Sequence, residues 1–206
     1  EAVFITTKLR RGHATGYEET IEHCKKSLEL LDMDYIDLYL VHAPPENPGH
    51  RAPVWQAMEY CLEQGWVKAI GVSNYGAAHL EAMKDYAKYM PSVNQIEFNP
   101  WLQRPHLKQA TEAAGARVMA YSPLARGHKV DDPQLGMIAE KLGCTPAQVA
   151  IKFCYDEGCI TIPKSSNPNR ILENIQSLNV DISSQYEAIK TLECNYVSGW
   201  DPTTEP

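Results

Sequence analysis

Short apolar runs rich in β-branched residues alternate along the chain with longer segments of helical periodicity. The first run, from Val3 to Thr7, predicts a strand. The segment after it predicts a helix with a capping box at Thr15 to Glu18, and its apolar face consists of Ile21, Cys24, Leu28 and Leu31. Five further units repeat this plan, with strands predicted over residues 35–41, 67–72, 93–97, 117–121 and 159–163.

Recognisable start and stop signals bound the remaining helices. Gly65 and Pro91 end two of them, Thr145 caps another ahead of Pro146, and Ser184 with Glu187 caps the last. These helices are predicted over residues 53–63, 77–89, 105–114, 132–141, 145–156, 167–175 and 184–194, and a loop follows over 195–206. No linker or low-complexity segment interrupts the chain, which favours a single domain over residues 1–206.

A polar side chain of a chemically useful type stands at the end of every predicted strand: Lys8, His42, Ser73 with Asn74, Gln95, Tyr121, and Lys164 with Ser165. Alternating strands and helices predict an α/β fold with a parallel sheet, either open and doubly wound or closed into a barrel. An open sheet that binds a dinucleotide usually carries Gly-x-Gly-x-x-Gly, which this chain lacks. We therefore predict a (β/α)8 TIM barrel whose six units present here lack the first two βα units.

The composition is typical of a soluble globular protein with a sizeable core, since 44% of the 206 residues are hydrophobic and 22% are charged. A net charge of −7 argues against a nucleic acid or an anionic membrane as partner. The six cysteines and seven histidines are scattered without metal-ligand spacing, so we expect no metal site. Reduced thiols of this kind favour a cytoplasmic location.

Six motifs resemble, in their order and spacing, those of the aldo-keto reductase family. They are Ile5-Thr6-Thr7-Lys8, Asp37-Leu38-Tyr39-Leu40-Val41-His42, Gly71-Val72-Ser73-Asn74-Tyr75, Asn94-Gln95-Ile96-Glu97, Tyr121-Ser122-Pro123-Leu124, and Ile162-Pro163-Lys164-Ser165 with Arg170 and Glu173-Asn174. Taken singly, each has a structural explanation as a solvated strand end, a buried ring or a helix cap. The ordered set is specific, and it runs from the family's third strand to its C-terminal loop.

The resemblance implies an enzyme that transfers a hydride from NADPH to an aldehyde or ketone without a metal. By match of motif, Lys8 and His42 are the lysine and histidine of the family's catalytic set. The family's catalytic aspartate and tyrosine belong to its second strand and the loop after it, which have no match in this sequence. Because the chain begins at Glu1 without a methionine and is already in a strand by Val3, we expect a segment upstream to supply them.

The resemblance also implies the cofactor contacts. Ser73, Asn74 and Gln95 match the family residues that bind the carboxamide of the nicotinamide. Tyr121 matches the residue that stacks on the nicotinamide ring. Ser122 and Leu124 match positions along the pyrophosphate. The 2′-phosphate and adenine positions are Lys164, Ser165, Arg170, Glu173 and Asn174. A lysine and an arginine suit a phosphate better than a ribose hydroxyl, so NADPH is preferred over NADH.

The substrate is expected to be a small aldehyde or ketone held between residues 43–51 and the C-terminal loop, with Trp101 and Trp200 as apolar walls. Ordinary packing is the alternative for both tryptophans. A full-length protein is expected to be a monomer, whereas a shortened barrel with two open strand edges is expected to self-associate. Two other functions stay open, a repurposed homologue that catalyses dehydration or isomerisation and a non-catalytic NADPH-binding subunit.

Overall fold

The apolar runs form six short strands in this computed structural model, which describes residues 3–204. The strands are β1 (Thr6–Leu9), β2 (Leu38–Val41), β3 (Ile70–Ser73), β4 (Val93–Glu97), β5 (Arg117–Tyr121) and β6 (Ile160–Thr161). The bounds of β4 and β5 coincide with the prediction from sequence. The first strand begins later than predicted, at Thr6, and Val3 and Phe4 ahead of it are 71% and 66% exposed.

Eight α-helices alternate with these strands in the described part of the chain. They are α1 (Tyr17–Leu31), α2 (Arg51–Glu63), α3 (Ala77–Met83), α4 (Pro105–Ala113), α5 (Pro133–Leu142), α6 (Pro146–Asp156), α7 (Pro168–Gln176) and α8 (Tyr186–Lys190). Every strand pairing described is parallel, so the predicted α/β class is confirmed. The predicted C-terminal loop contains a short turn of 3₁₀ helix over Pro202–Thr204. The last two residues of that loop, Glu205 and Pro206, lie outside the described residues, as do Glu1 and Ala2.

The chain divides into two compact units. Of the described residues, unit 1 comprises 3–95, 106–117 and 201–204, and unit 2 comprises 96–105 and 118–200. The single domain expected from the sequence stays a prediction.

In unit 1, consecutive strands pair in parallel with their carboxyl ends aligned. Lys8 lies opposite Leu40, and Ser73 lies opposite Gln95. Gly71 in β3 is required by close packing, because a Cβ at this position would come within 2.8 Å of the Val93 carbonyl oxygen. Helices α1, α2 and α3 supply the rest of the core, and the fully buried indole of Trp55 donates a hydrogen bond to the Tyr89 carbonyl (3.0 Å).

In unit 2, β5 and β6 pair in parallel, with Met119 opposite Ile160. Its core includes the stacked rings of Phe98 and Phe153, whose centroids lie 6.4 Å apart. Helix α6 begins with the predicted cap: the Thr145 hydroxyl accepts a hydrogen bond from the backbone N–H of Gln148, whose side chain accepts one from the backbone N–H of Thr145. Two orphan donors at the helix start are thereby satisfied.

Two predicted caps are wrong. Helix α1 begins at Tyr17, so its N-cap is Gly16, which has no side chain to cap with, and Thr15 lies outside the capping position. Ser184 falls inside a 3₁₀ turn over Ser183–Gln185, and α8 after it has no side-chain cap. The Asp181 carboxylate accepts a hydrogen bond from the backbone N–H of Ser183 (2.9 Å), the first residue of that turn.

Helix α3 is six residues shorter than predicted and ends at Met83 rather than at residue 89. The buried Glu59 carboxylate of α2 accepts hydrogen bonds from the backbone N–H groups of Lys88 and Tyr89, at 2.6 and 2.9 Å. These tertiary bonds replace the helical ones that a continued α3 would make.

Candidate active site

A hydrogen-bonded cluster in unit 1 joins the carboxyl ends of β2 and β3 to Gln95 in the middle of β4. The Ser73 hydroxyl donates to the Gln95 carbonyl (2.8 Å). The Asn74 side-chain amide donates to the His42 carbonyl (3.0 Å) and to the Ser73 hydroxyl oxygen (3.1 Å). Four residues that the sequence placed at three different strand ends are therefore brought together. Asn74 has a left-handed backbone (φ 60°), a conformation that asparagine tolerates better than most residues.

Lys8 and His42 stand beside this cluster on β1 and directly after β2. Lys8 lies inside β1, one residue before its end, and the backbone N–H of His42 donates to the carbonyl of Leu9 (3.2 Å). Burial lowers the pKa of Lys8 below its usual value. Burial, and then the charge of Lys8, lower the pKa of His42 below 6.5. Both effects favour the uncharged imidazole, which has one ring N–H to donate.

Unit 2 contains a cavity of about 700 Å³. Seven of the predicted cofactor residues line it: Ser122, Leu124, Lys164, Ser165, Arg170, Glu173 and Asn174. A cavity of this volume matches that of ordinary small-molecule sites. Its lysine and arginine are the donor types that bind phosphate, so the residues present fit the phosphorylated end of a dinucleotide.

The wall formed by α7 is anchored to its neighbours in unit 2. The Glu173 carboxylate accepts a hydrogen bond from the hydroxyl of Thr145 (2.6 Å), the residue that caps α6. Asn174 is buried, and its backbone carbonyl accepts from the Ser177 hydroxyl (2.6 Å). Both predicted adenine contacts are therefore held by bonds that do not depend on a ligand.

Tyr121 is the last residue of β5 and does not line this cavity. Its carbonyl accepts the backbone N–H of Phe98 (3.3 Å). The segment after it is backbone-strained, because the non-glycine residues Ser122, Ala125 and Arg126 all have φ between 45° and 54°. Residues in such conformations cluster at ligand-binding sites.

The two tryptophans predicted as substrate walls differ in exposure. Trp101 is 1% exposed, and its indole N–H donates to the Asp132 carboxylate (3.1 Å), an arrangement that ordinary packing explains. Trp200 is 38% exposed. Contact of either residue with substrate stays a prediction.

Reasoning from the sequence did not identify three residues of unit 2 that the structure brings forward. Arg126 lines the cavity, and its guanidinium packs against Gly199, where a Cβ would come within 2.6 Å of the guanidinium carbon. No local pattern marks this arginine.

Glu97 and Ser198 form a buried pair in which the carboxylate accepts hydrogen bonds from the backbone N–H and the hydroxyl of the serine. The signal for Glu97 was available, since a charged residue in an otherwise buried strand needs a partner.

Within residues 3–204, no group of three or more His, Cys, Asp and Glu side chains is placed to hold a metal ion. No helix in the same range is both long and apolar enough to cross a membrane. The six cysteines are free thiols.

The chain resembles characterised proteins over nearly its whole length. The family model described as "Aldo/keto reductase family" matches residues 1–193. A glyoxal reductase from Bacillus subtilis is 38% identical over 185 residues, which is 90% of this chain and 66% of that protein. The chain thus spans about two thirds of the length of that relative.

Solved structures give the same picture. The crystal structure of Gox0644 in its apo form superposes with a TM-score of 0.91 at 37% identity, over 98% of this chain and 75% of that one. An aldo-keto reductase of Bombyx mori, crystallised in complex with NADP, gives a TM-score of 0.85 at 31% identity, over 95% of this chain and 69% of the other. The predicted likeness to the barrel of these enzymes is confirmed, and the chain belongs to the aldo-keto reductase family.

Proposed function

We propose that this protein is an NADPH-dependent oxidoreductase that reduces small aldehydes or ketones to alcohols, and that this chain supplies its cofactor site and two of its catalytic side chains. The observation that carries the proposal is the cavity of about 700 Å³ in unit 2, lined by Lys164 and Arg170, in a chain that belongs to the family.

The cavity of unit 2 supports NADPH as the cofactor. Lys164, Ser165 and Arg170 would hold the 2′-phosphate, and Ser122 and Leu124 would lie along the pyrophosphate. Glu173 and Asn174 would lie near the adenine. In unit 1, Ser73, Asn74 and Gln95 would bind the carboxamide of the nicotinamide, and Tyr121 in unit 2 would stack on its ring. When bound, the cofactor supplies the hydride.

The residues of unit 1 support the proton side of the reaction. A carbonyl that accepts a hydride develops negative charge on its oxygen, and fixed hydrogen-bond donors at that oxygen lower the barrier. The neutral ring of His42 can donate one such bond and orient the carbonyl. Lys8 as a neighbouring cation would lower the pKa of a phenolic proton donor. The family's tyrosine and aspartate have no match in residues 1–206, so we assign Lys8 and His42 the tuning and orienting roles only.

The setting of the enzyme is also a proposal. Six free thiols support a cytoplasmic location, where cysteines stay reduced. A small-molecule aldehyde or ketone is the expected partner, and the monomeric or self-associated state of the protein stays a prediction.

The test is to measure the intact mass of the purified protein, titrate it with NADPH and NADH by fluorescence quenching, and follow NADPH oxidation with a panel of small aldehydes. We expect tighter binding of NADPH and turnover of at least one aldehyde. His42→Gln should lower kcat by roughly 100-fold or more, with the Kd for NADPH nearly unchanged. Lys26→Met, on the exposed side of α1, is the matched control and should leave both values unchanged.

Two results would contradict the proposal. Failure to bind NADPH would remove the cofactor assignment. Tight binding of NADPH without oxidation in the presence of any aldehyde or ketone would favour the non-catalytic or repurposed homologue instead.

A further inference from the structure

Two cysteines of unit 1 meet inside its core, and neither is among the residues assigned to catalysis or to the cofactor. Cys24 lies on α1 and Cys61 lies on α2, and both are fully buried, at 0% exposed. They belong to one apolar cluster, and their thiols share a hydrogen bond. Two nucleophilic sulfur atoms from different helices are therefore in contact.

The contact between the two thiols is the arrangement that a disulfide requires. An S–S bond is about 2.0 Å long, so it forms between sulfur atoms that are neighbours or that the backbone can bring together. Helices α1 and α2 pack against each other, and thiols that already share a hydrogen bond need only a small movement of their side chains. A bond between Cys24 and Cys61 would join α1 to α2.

The two sulfur atoms of this pair differ in reactivity. The hydrogen bond with Cys61 lowers the pKa of the Cys24 thiol, although burial acts in the opposite direction. The same hydrogen bond, together with burial, raises the pKa of Cys61. Cys61 also lies in the last turn of α2, where the partial negative charge at the helix end disfavours a thiolate. Since the thiolate is the nucleophile, Cys24 is the attacking sulfur and Cys61 is the resolving one.

Cys154 and Cys144 differ from Cys24 in this respect. Cys154 is also buried, but its thiol donates to the carbonyl of Phe98 (3.5 Å), and burial raises its pKa. Burial likewise raises the pKa of Cys144. Thiols buried in apolar surroundings are inert, so it is the partner of Cys24, and not its burial, that makes it reactive.

Helix α1 is lightly held on the side that covers the pair. Three of its 15 residues are buried, and Cys24 is the last of them. Its final turn exposes Leu30 and Leu31, at 74% and 40%, and its N-cap glycine has no side chain to cap with. Elements with few buried contacts open locally at a low free energy. A small oxidant can reach Cys24 in the open state, and closure of α1 returns Cys61 to it.

We propose that Cys24 and Cys61 form an oxidation site for hydrogen peroxide and other small hydroperoxides, and that its product is a disulfide that fastens α1 to α2. The Cys24 thiolate attacks one oxygen of the peroxide, the O–O bond breaks, and a sulfenic acid and hydroxide result. Cys61 then gives up its proton and attacks the Cys24 sulfur, so that the S–O bond breaks and water leaves. Two thiols are thus oxidised by two electrons, and one hydrogen peroxide is reduced to two waters.

The test treats the folded, fully reduced protein with hydrogen peroxide, blocks the remaining thiols with iodoacetamide and maps the digest by mass spectrometry without reduction. We expect a linked pair of peptides that contain Cys24 and Cys61, with Cys154 still reduced. The oxidised protein should unfold at a higher concentration of urea than the reduced one, because the bond restricts the unfolded chain. Dithiothreitol should restore both the free thiols and the original midpoint.

Cys61→Ser keeps the attacking sulfur and removes the resolving one. After peroxide treatment it should carry a sulfenic acid at Cys24, which dimedone labels, and its urea midpoint should not rise. Cys194→Ser, at an exposed cysteine outside the pair, is the matched control and should form the Cys24–Cys61 bond as the wild type does.

Two results would overturn the proposal. One is that peroxide leaves Cys24 and Cys61 reduced in the folded wild-type protein, and the other is that their linked peptides appear only after unfolding in urea. Neither readout uses NADPH or an aldehyde, so either result would leave the proposed reductase function intact.

Discussion

The Glu97 carboxylate, at the end of β4, accepts hydrogen bonds from both the backbone N–H and the hydroxyl of Ser198, a residue 101 positions later in the chain. The two N–H contacts measure 3.2 and 3.3 Å, and both side chains are buried, at 2% and 8% exposed. A buried carboxylate is costly unless it is hydrogen-bonded, so this pair fixes the C-terminal part of unit 2 to its strand.

We expect Ser198→Ala to lower the free energy of unfolding by about 1.5–3 kcal/mol, because it leaves part of a buried carboxylate without a donor. Urea unfolding followed by circular dichroism measures the change. Ser184→Ala, at an exposed position, is the control and should change stability by less than about 0.5 kcal/mol. Equal stability of Ser198→Ala and wild type would mean that water satisfies the carboxylate.

Removal of the charge at Lys8 should raise the pKa of His42. Lys8 disfavours the imidazolium by repulsion, and Lys8→Met eliminates that repulsion. The titration of the His42 ring signals by NMR in wild type and variant gives the direction of the change. Arg10→Met should not shift these signals in the same way, and an unchanged pKa in Lys8→Met would place the lysine charge too far away to act.

Stability should fall as the pH drops below about 6.5 through the contribution of His42. The pKa of His42 is lower in the folded state, so the unfolded state takes up a proton first and is favoured on the acid side. In His42→Gln the slope of unfolding free energy against pH should be shallower over that window. Matched urea titrations at several pH values provide the test, and parallel curves for the two proteins would contradict it.

Arg170→Met should weaken NADPH binding about tenfold or more and change NADH binding by less than about twofold, because only NADPH carries the 2′-phosphate. Isothermal titration with each cofactor measures both constants. Lys141→Met, an exposed charge at the end of α5 that does not line the cavity, controls for the loss of one positive charge. Equal weakening of both cofactors would assign Arg170 to a shared part of the dinucleotide.

The sequence was most informative where local chemistry and tertiary packing agree. Strands β4 and β5 were predicted to the residue, and the cap at Thr145 was confirmed. Prediction failed where a distant group decides the local structure. The carboxylate of Glu59 binds the backbone N–H groups of Lys88 and Tyr89, which the sequence placed in α3, and no pattern within 77–89 records that.

The candidate site shows the same division. Motif order identified the residues at the strand ends, including the cluster of Ser73, Asn74 and Gln95. The sequence did not reveal that Arg126 lines the cavity of unit 2, because that depends on how the loops fold. The left-handed backbone of Asn74 could have been predicted, because asparagine adopts this conformation more readily than most residues do.

The strained segment at Ser122, Ala125 and Arg126 has a consequence for laboratory evolution. Each left-handed non-glycine residue costs on the order of 1 kcal/mol, which glycine would recover at once. Selection for heat resistance alone would therefore favour glycine here, and it would relax a loop whose residues Ser122 and Arg126 line the cavity of unit 2. The variants most resistant to heat should therefore be those in which the shape of this cavity is least fixed.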